Sequence, residues 1–254
     1  MQKVYLCLCF FLLMLRGGSA QEIQAIKNKT AYPFLLKDGP QGDNEGYVLE
    51  EENELSQQEK ESQDSFEAEK KPVFVFLHGR SLSGTNLNRV KRYGVLYAIE
   101  KGQEVPGIIV APQSRGGWDP DKVMEVVDYV IAHFNADPDR IYICGMSMGG
   151  YGTMDVAGKY PERVAAAVAI CGGGSSQYAA NLTQVPIWLH HGTADRAVPI
   201  SESRKIMKAI KKANPDANVR LNVIKGGTHG SVERLFHDDA IYNWMLKFRK
   251  KQRS

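Results

Sequence analysis

Residues 140–154, RIYICGMSMGGYGTM, hold the most chemically suggestive spacing in this chain. A β-branched apolar run stops at Gly145, presents Ser147 between Met146 and Met148, and continues into small residues opened by Gly149 and Gly150. The pattern predicts a serine on a tight strand-to-helix turn, with its Oγ exposed and with glycines on both sides so that neighbouring backbone can approach. The amide of Met148 would then stand at a helix N-terminus, free to donate to an oxygen that becomes negative during reaction. A G-x-S-x-G string alone is a weak signal. Its weight comes from the strand before it and the small-residue helix after it, which the turn requires.

A nucleophilic serine needs an imidazole to take its proton and an acid to hold that imidazole in the right tautomer. Finding them requires the surrounding elements. Apolar runs predict strands at 73–78, 107–111, 140–144, 165–171, 185–190 and 219–224. Helical periodicity predicts helices from Asp119-Pro120 to Phe134, after Ser147, from 201 to 213 and from 232 to 248. Such alternation implies an α/β fold: a mostly parallel sheet with helices on both faces, one catalytic domain over 70–254. In such a sheet, ligands bind beyond the carboxyl ends of the strands.

That rule sorts the acids and histidines. Asp155 falls in the helix after the serine and Asp216 precedes a strand, whereas Asp195, in HHGTAD, follows the correct strand end. Of six histidines, His229 alone sits in a glycine-rich turn, GGTHG, after the last strand. His78, His190 and His191 read as structural groups at strand ends, and His133 and His237 as surface groups on helices. The expected catalytic set is Ser147, Asp195 and His229, in that chain order. A metal site from His190, His191, Asp195 and His229 would need ligands on both faces of one strand, so neither a metal nor any other cofactor is expected. The second oxyanion donor should come from the loop HGRS after the first long strand, with the Arg80 amide favoured and Ser81 as the alternative. Ser81 and Trp118, the latter in the loop 113–118, are expected beside the substrate; for Trp118 the competing reading is a packing role under that loop.

Taken together, FVFLHGR, GIIVAPQ, DPDRIYICGMSMGGYGT, YPERVAAAVAICGGG, HGTADRAVP and GTHGS resemble the α/β-hydrolase superfamily. The likeness runs from about Pro72 to Phe248 and is greatest to secreted bacterial carboxylesterase, feruloyl-esterase and dienelactone-hydrolase-like proteins. It extends to the catalytic domain of prolyl oligopeptidases. The resemblance implies an α/β-hydrolase fold, a Ser147–His229–Asp195 triad, and an oxyanion hole from Met148 and Arg80. Dienelactone hydrolases carry a cysteine where this chain has Ser147, which argues against that particular activity. The stretch between Cys171 and Val185 is too short for a large lid domain.

The remaining features bound location and partners. Lys3, an apolar run from Val4 to Leu15 and the small residues before Gln21 read as a signal peptide covering 1–20, which predicts a secreted or periplasmic protein with no membrane attachment after cleavage. Residues 21–69 form an N-terminal segment in which 41–69 carry eleven acidic side chains against one basic, a composition typical of a disordered insertion. The whole chain is +3. Basic residues near the C-terminus come with no nucleic-acid recognition motif, so no nucleic-acid partner is expected. Cys144 and Cys171 read as core residues; export would permit a bridge between them, and a free pair is the preferred reading. The expected function is a secreted serine hydrolase acting on carboxylic esters with small acyl groups such as acetyl or feruloyl, carried on small molecules or glycans. The alternatives are a serine peptidase acting on short peptides and a non-catalytic binding protein on a hydrolase fold.

Overall fold

The computed structural model describes residues 22–39 and 69–250. Residues 1–20, read above as a signal peptide, and most of the acidic segment 41–69 lie outside the described residues. Among the described residues eight strands form one sheet: β1 (Gln24–Ile26), β2 (Phe34–Asp38), β3 (Lys71–Leu77), β4 (Ile108–Pro112), β5 (Ala136–Met146), β6 (Val164–Ile170), β7 (Ile187–Gly192) and β8 (Val219–Ile224). Their spatial order is β1-β2-β4-β3-β5-β6-β7-β8. β1 and β2 pair antiparallel, as do β2 and β4, and every other pairing is parallel. Among the described residues six α-helices accompany them: α1 (Val95–Glu100), α2 (Pro120–His133), α3 (Met148–Lys159), α4 (Ala179–Leu182), α5 (Ser201–Ala213) and α6 (Asp239–Met245). Among the described residues no helix is long and apolar enough to cross a membrane.

The period-2 geometry of a strand explains how the sheet buries both faces. Along β3, Val73, Val75 and Leu77 enter one core with α2 and α3, while Phe74 and Phe76 enter the other with α1 and α6. β5 repeats the division, with Ile141 and Ile143 on the first side and Tyr142, Cys144 and Met146 on the second. α2 forms where its cap and apolar stripe predict it. The Asp119 carboxylate accepts from the Asp121 amide, Pro120 fills the first turn, and Val123, Val126, Val127 and Val130 are fully buried.

Two features depart from the sequence reading. Residues 24–38, placed outside the catalytic body, supply two strands of the same sheet, because β2 completes the hydrogen bonding of β4 across Phe34↔Pro112 to Asp38↔Ile108. The helix expected over 232–248 is broken. A 3-10 segment, Ser231–His237, ends at Asp238, whose carboxylate caps α6 through the Ala240 amide. The Phe236 carbonyl meanwhile accepts from the Tyr242 hydroxyl, which serves a backbone group at the break. Between β6 and β7 stand only a 3-10 turn, Ser176–Tyr178, and the four-residue α4, so this connection forms no large lid, as its length implied.

Candidate active site

The turn from β5 to α3 places Ser147 at φ 59°, ψ −122°, a conformation that L-residues with a side chain rarely adopt. It is held from both sides: the Ser147 amide donates to the Ile170 carbonyl at 2.9 Å, and the Ser147 carbonyl accepts from the Tyr151 amide at 3.1 Å. The glycines make this possible by close approach. A Cβ on Gly149 would stand 1.7 Å from the Leu77 carbonyl oxygen, and one on Gly145 would stand 2.4 Å from the Gly149 carbonyl oxygen. The first turn of α3 therefore lies directly against the end of β3.

Asp195 follows β7 and His229 follows β8, and the fold brings them together. His229 Nδ1 lies 2.7 Å from Asp195 Oδ2. The other carboxylate oxygen, Oδ1, accepts from the amides of Ala197 at 2.8 Å and Val198 at 2.9 Å. The Asp195 side chain is 0% exposed, against 27% for His229. Burial alone would raise the Asp195 carboxyl, but hydrogen bonding from the Val198 amide, His229, Cys171 and the Ala197 amide outweighs it and holds the group below its usual value. An ionised Asp195 fixes a proton on His229 Nδ1 and leaves Nε2 free to accept one.

Ser147 and His229 line one cavity of about 840 Å³, together with Gly79, Arg80, Ser81, Tyr93, Met146, Met148, Tyr151 and Glu233. Among the described residues no hydrogen bond joins Ser147 Oγ to His229; such contacts commonly tighten only when substrate binds. Gly79 opens the 3-10 segment Arg80–Leu82 and donates its amide to the Tyr93 hydroxyl at 2.8 Å. That engages the Gly79 amide and leaves the next one, on Arg80, without an acceptor among the described residues, as is the Met148 amide at the start of α3.

Of the two residues expected beside the substrate, Ser81 lines the cavity and Trp118 does not. Trp118 donates its indole N–H to the His78 carbonyl at 3.0 Å, packs edge-on against the rings of His78 and Tyr32, and lies where a Cβ on Gly152 would meet it at 2.7 Å. It supports the loop from beneath. His78 is also structural: its Nδ1 donates to the Gly79 carbonyl at 2.8 Å and its Nε2 accepts from the Ser114 amide at 3.1 Å, tying together the loops after β3 and β4. Burial pushes its pKa down to about 4, keeping the ring neutral. His191 is held by Ser203 Oγ and the Val198 carbonyl.

Some site residues carry no sequence signal. Tyr93, Tyr151 and Glu233 enter the cavity from three separate parts of the chain; Tyr151 lies within the serine motif and Glu233 four residues after His229, but nothing in the motifs marked either as a lining group, and Tyr93 stands near no motif. Cys171, read as a core residue, is a buried free thiol at φ 48°; its Sγ, an Asp195 carboxylate oxygen and a His229 ring nitrogen lie within 4.8 Å of one another. Cys144 is likewise buried and unbridged.

Residues 113–237 match the dienelactone hydrolase family, a span that contains Ser147, Asp195 and His229. Over 131 residues the chain is 32% identical to a protein of Neosartorya fischeri named probable acetylxylan esterase A, a match covering 51% of this chain and 36% of that one. The chain thus spans about a third of the length of this curated relative. Among solved structures, a thermostable esterase superposes with a TM-score of 0.66 at 24% identity, over 89% of this chain and 63% of the other. The feruloyl esterase module of Clostridium thermocellum, solved with sinapinate, gives a TM-score of 0.58 at 18% identity over 88% of each chain. The chain has the α/β-hydrolase fold, and its residues 113–237 are similar to the dienelactone hydrolase family.

Proposed function

We propose that this protein is a secreted serine hydrolase of carboxylic esters with Ser147 as nucleophile. The observation that carries this reading is the 2.7 Å His229–Asp195 pair opening into the same cavity as the strained Ser147 turn. Ser147 Oγ attacks the ester carbonyl carbon while His229 Nε2 takes the hydroxyl proton. The carbonyl oxygen becomes the oxyanion and is received by the Met148 and Arg80 amides. His229 then gives its proton to the departing alkoxide as the C–O bond breaks, leaving an acyl-enzyme. A water adds to the acyl carbon with His229 again as base, and the proton returns to Ser147 as the carboxylic acid leaves.

Among the described residues no large lid stands over the site, and its walls combine apolar Met146, Met148 and Val198 with polar Tyr93 and Glu233. This suits a compact acyl group, acetyl or hydroxycinnamoyl, on a bulkier alcohol that stays partly in solvent. The named activities of the relatives point the same way, toward acylated glycans. Labelling with a fluorophosphonate, with Ser147→Ala as control, tests the nucleophile: an unmodified wild type would leave only the non-catalytic binding reading. Rates on p-nitrophenyl acetate, methyl ferulate and peptide anilides test the substrate class. Amide cleavage that far outruns ester cleavage would make the protein a peptidase.

A further inference from the structure

A second cavity, of about 600 Å³, opens on the same pole of the sheet; the loop that follows β3 lines both cavities, and the loop that follows β4 lines the second. Those loops are tied to each other and to the active site: the Gly84 amide donates to the Ser114 carbonyl at 3.0 Å, and the Gly117 amide to Met148 Sδ at 3.2 Å. The lining of the second cavity includes Lys27, Arg115 and Lys122 and no acidic residue. Lys122 lies 3.7 Å from the Asp119 carboxylate, while Lys27 and Arg115 have no ion-pair partner among the described residues.

Gln113, only 1% exposed, forms part of the same wall. Its Nε2 donates to the carbonyls of Leu82 at 2.8 Å and Asn86 at 2.9 Å, which sets the orientation of the amide, since only the nitrogen can donate to two carbonyls. Oε1 is thereby turned away from those carbonyls, and it is buried with no donor. Buried polar groups without a partner are rare in folded proteins, and the side chain that carries this one lines the cavity. Tyr32, held by its hydroxyl to the Asp119 amide at 3.1 Å, adds an aromatic ring to the lining.

We propose that this cavity binds a carboxylate-bearing sugar, a uronic acid residue of a polysaccharide. Arg115 presents the planar fork that matches a carboxylate, and Lys27 and Lys122 add positive charge. A ring hydroxyl donates to Gln113 Oε1, and the sugar ring lies against Tyr32. An inorganic anion would meet the charges but leave most of the volume and the Gln113 acceptor unused. That this sugar belongs to the ester substrate rests on the esterase reading above; the binding itself does not.

Calorimetric titration of the full chain carrying Ser147→Ala, which prevents turnover, separates the two. The probes are xylotriose bearing a glucuronate branch, trigalacturonate, neutral xylotriose and inorganic phosphate. At least one acidic oligosaccharide should bind about tenfold or more tightly than neutral xylotriose, as expected for one charge-assisted contact. Which of the two binds tells whether the carboxylate is read on a branch or along the main chain. Adding Arg115→Ala, at an exposed position, should abolish the preference, and Arg115→Lys should restore part of it. Equal affinity for acidic and neutral probes, absence of binding by either acidic probe, a preference that survives Arg115→Ala, or phosphate binding as tightly as the acidic sugars would each overturn the proposal. Hydrolysis of p-nitrophenyl acetate by the wild-type protein is measured separately; its failure would remove the esterase reading without touching the binding result.

Discussion

Mild acidification should weaken this fold through two buried histidines, and the size of the loss follows from the structure. His78 is wedged between Trp118 and the loops after β3 and β4; burial, opposed by the hydrogen bond to the Gly79 carbonyl and helped to a lesser degree by the Arg89 charge, lowers its pKa from 6.5 to about 4. His190 ends against Trp188 with Nε2 buried and unpartnered; burial, then the Arg220 guanidinium stacked 3.6 Å over the Trp188 ring, lowers it from 6.5 to about 3. Each group binds protons in the unfolded chain at a pH where the folded protein still holds it neutral. Its stabilising contribution is complete above pH 6.5 and is lost progressively as the pH falls toward the folded values. At about pH 5 the unfolded histidines are almost wholly protonated and the folded ones almost wholly neutral, so each has cost about 2 kcal/mol of stability relative to pH 7.5. Together they remove about 4 kcal/mol, a large share of the roughly 5–15 kcal/mol that holds an ordinary domain. Urea unfolding of wild type and His190→Gln at about pH 7.5 and pH 5 measures this as a difference of differences. The variant should lose about 2 kcal/mol less than wild type on acidification, whatever its stability at neutral pH. Equal losses in both proteins would refute the assignment of His190 as a neutral buried group. Asp195 does not obscure the test. Its lowered pKa contributes stability that is present above the ordinary value of 3.8 and is lost below it, outside the chosen window.

Other expectations follow from the site. Ser147→Ala and His229→Ala should each lower kcat for p-nitrophenyl acetate by several orders of magnitude while leaving the thermal midpoint nearly unchanged; retention of most activity would exclude a triad. Asp195→Asn should cost about 10⁴-fold in kcat, because the amide cannot hold the His229 proton on Nδ1, and a loss below tenfold would show that the 2.7 Å contact has no catalytic weight. Gly149→Ala should prevent soluble expression or lower the melting temperature sharply, since the new Cβ would lie 1.7 Å from backbone oxygen that no side-chain rotation can relieve; an unaltered melting temperature would contradict the close approach of α3 to β3. Tyr93→Phe strips the Gly79 amide of its acceptor and should reduce kcat more than it raises KM, as the loop carrying the Arg80 amide loosens. An effect on KM alone would indicate that Tyr93 only contacts substrate.

The arrangement relies on local constraint at a few points. The Gly79 amide occupied by Tyr93, the Ser114 amide held by His78 and the indole of Trp118 on the His78 carbonyl all act on the loops that carry or adjoin Arg80. On the opposite side, the Ala197 and Val198 amides hold Asp195 Oδ1, so that Oδ2 remains for His229. Rigid positioning of donors and acceptors before substrate arrives is the condition under which such groups lower a barrier most.

What was legible in the sequence was whatever depends on local chemistry. Glycines at 145 and 149 around Ser147 demand a sharp turn because any larger residue collides with backbone, and Asp119-Pro120 starts α2 by capping its own amides. Alternating apolar runs and helices were enough to imply a parallel sheet, and the carboxyl ends of its strands then singled out Asp195 and His229. Only the tertiary structure decided what depends on partners distant along the chain. β2 is a strand because β4, some seventy residues later, offers an open edge; Trp118 is a support because His78 and Tyr32 happen to surround it; and the helix expected to run to 248 breaks because Asp238 caps a new start there. Tyr93, Glu233 and the thiol of Cys171 reach the site by packing alone. The physical reason is range: capping, turn strain and periodicity act within a few residues, whereas which surface a side chain meets is settled by the fold as a whole.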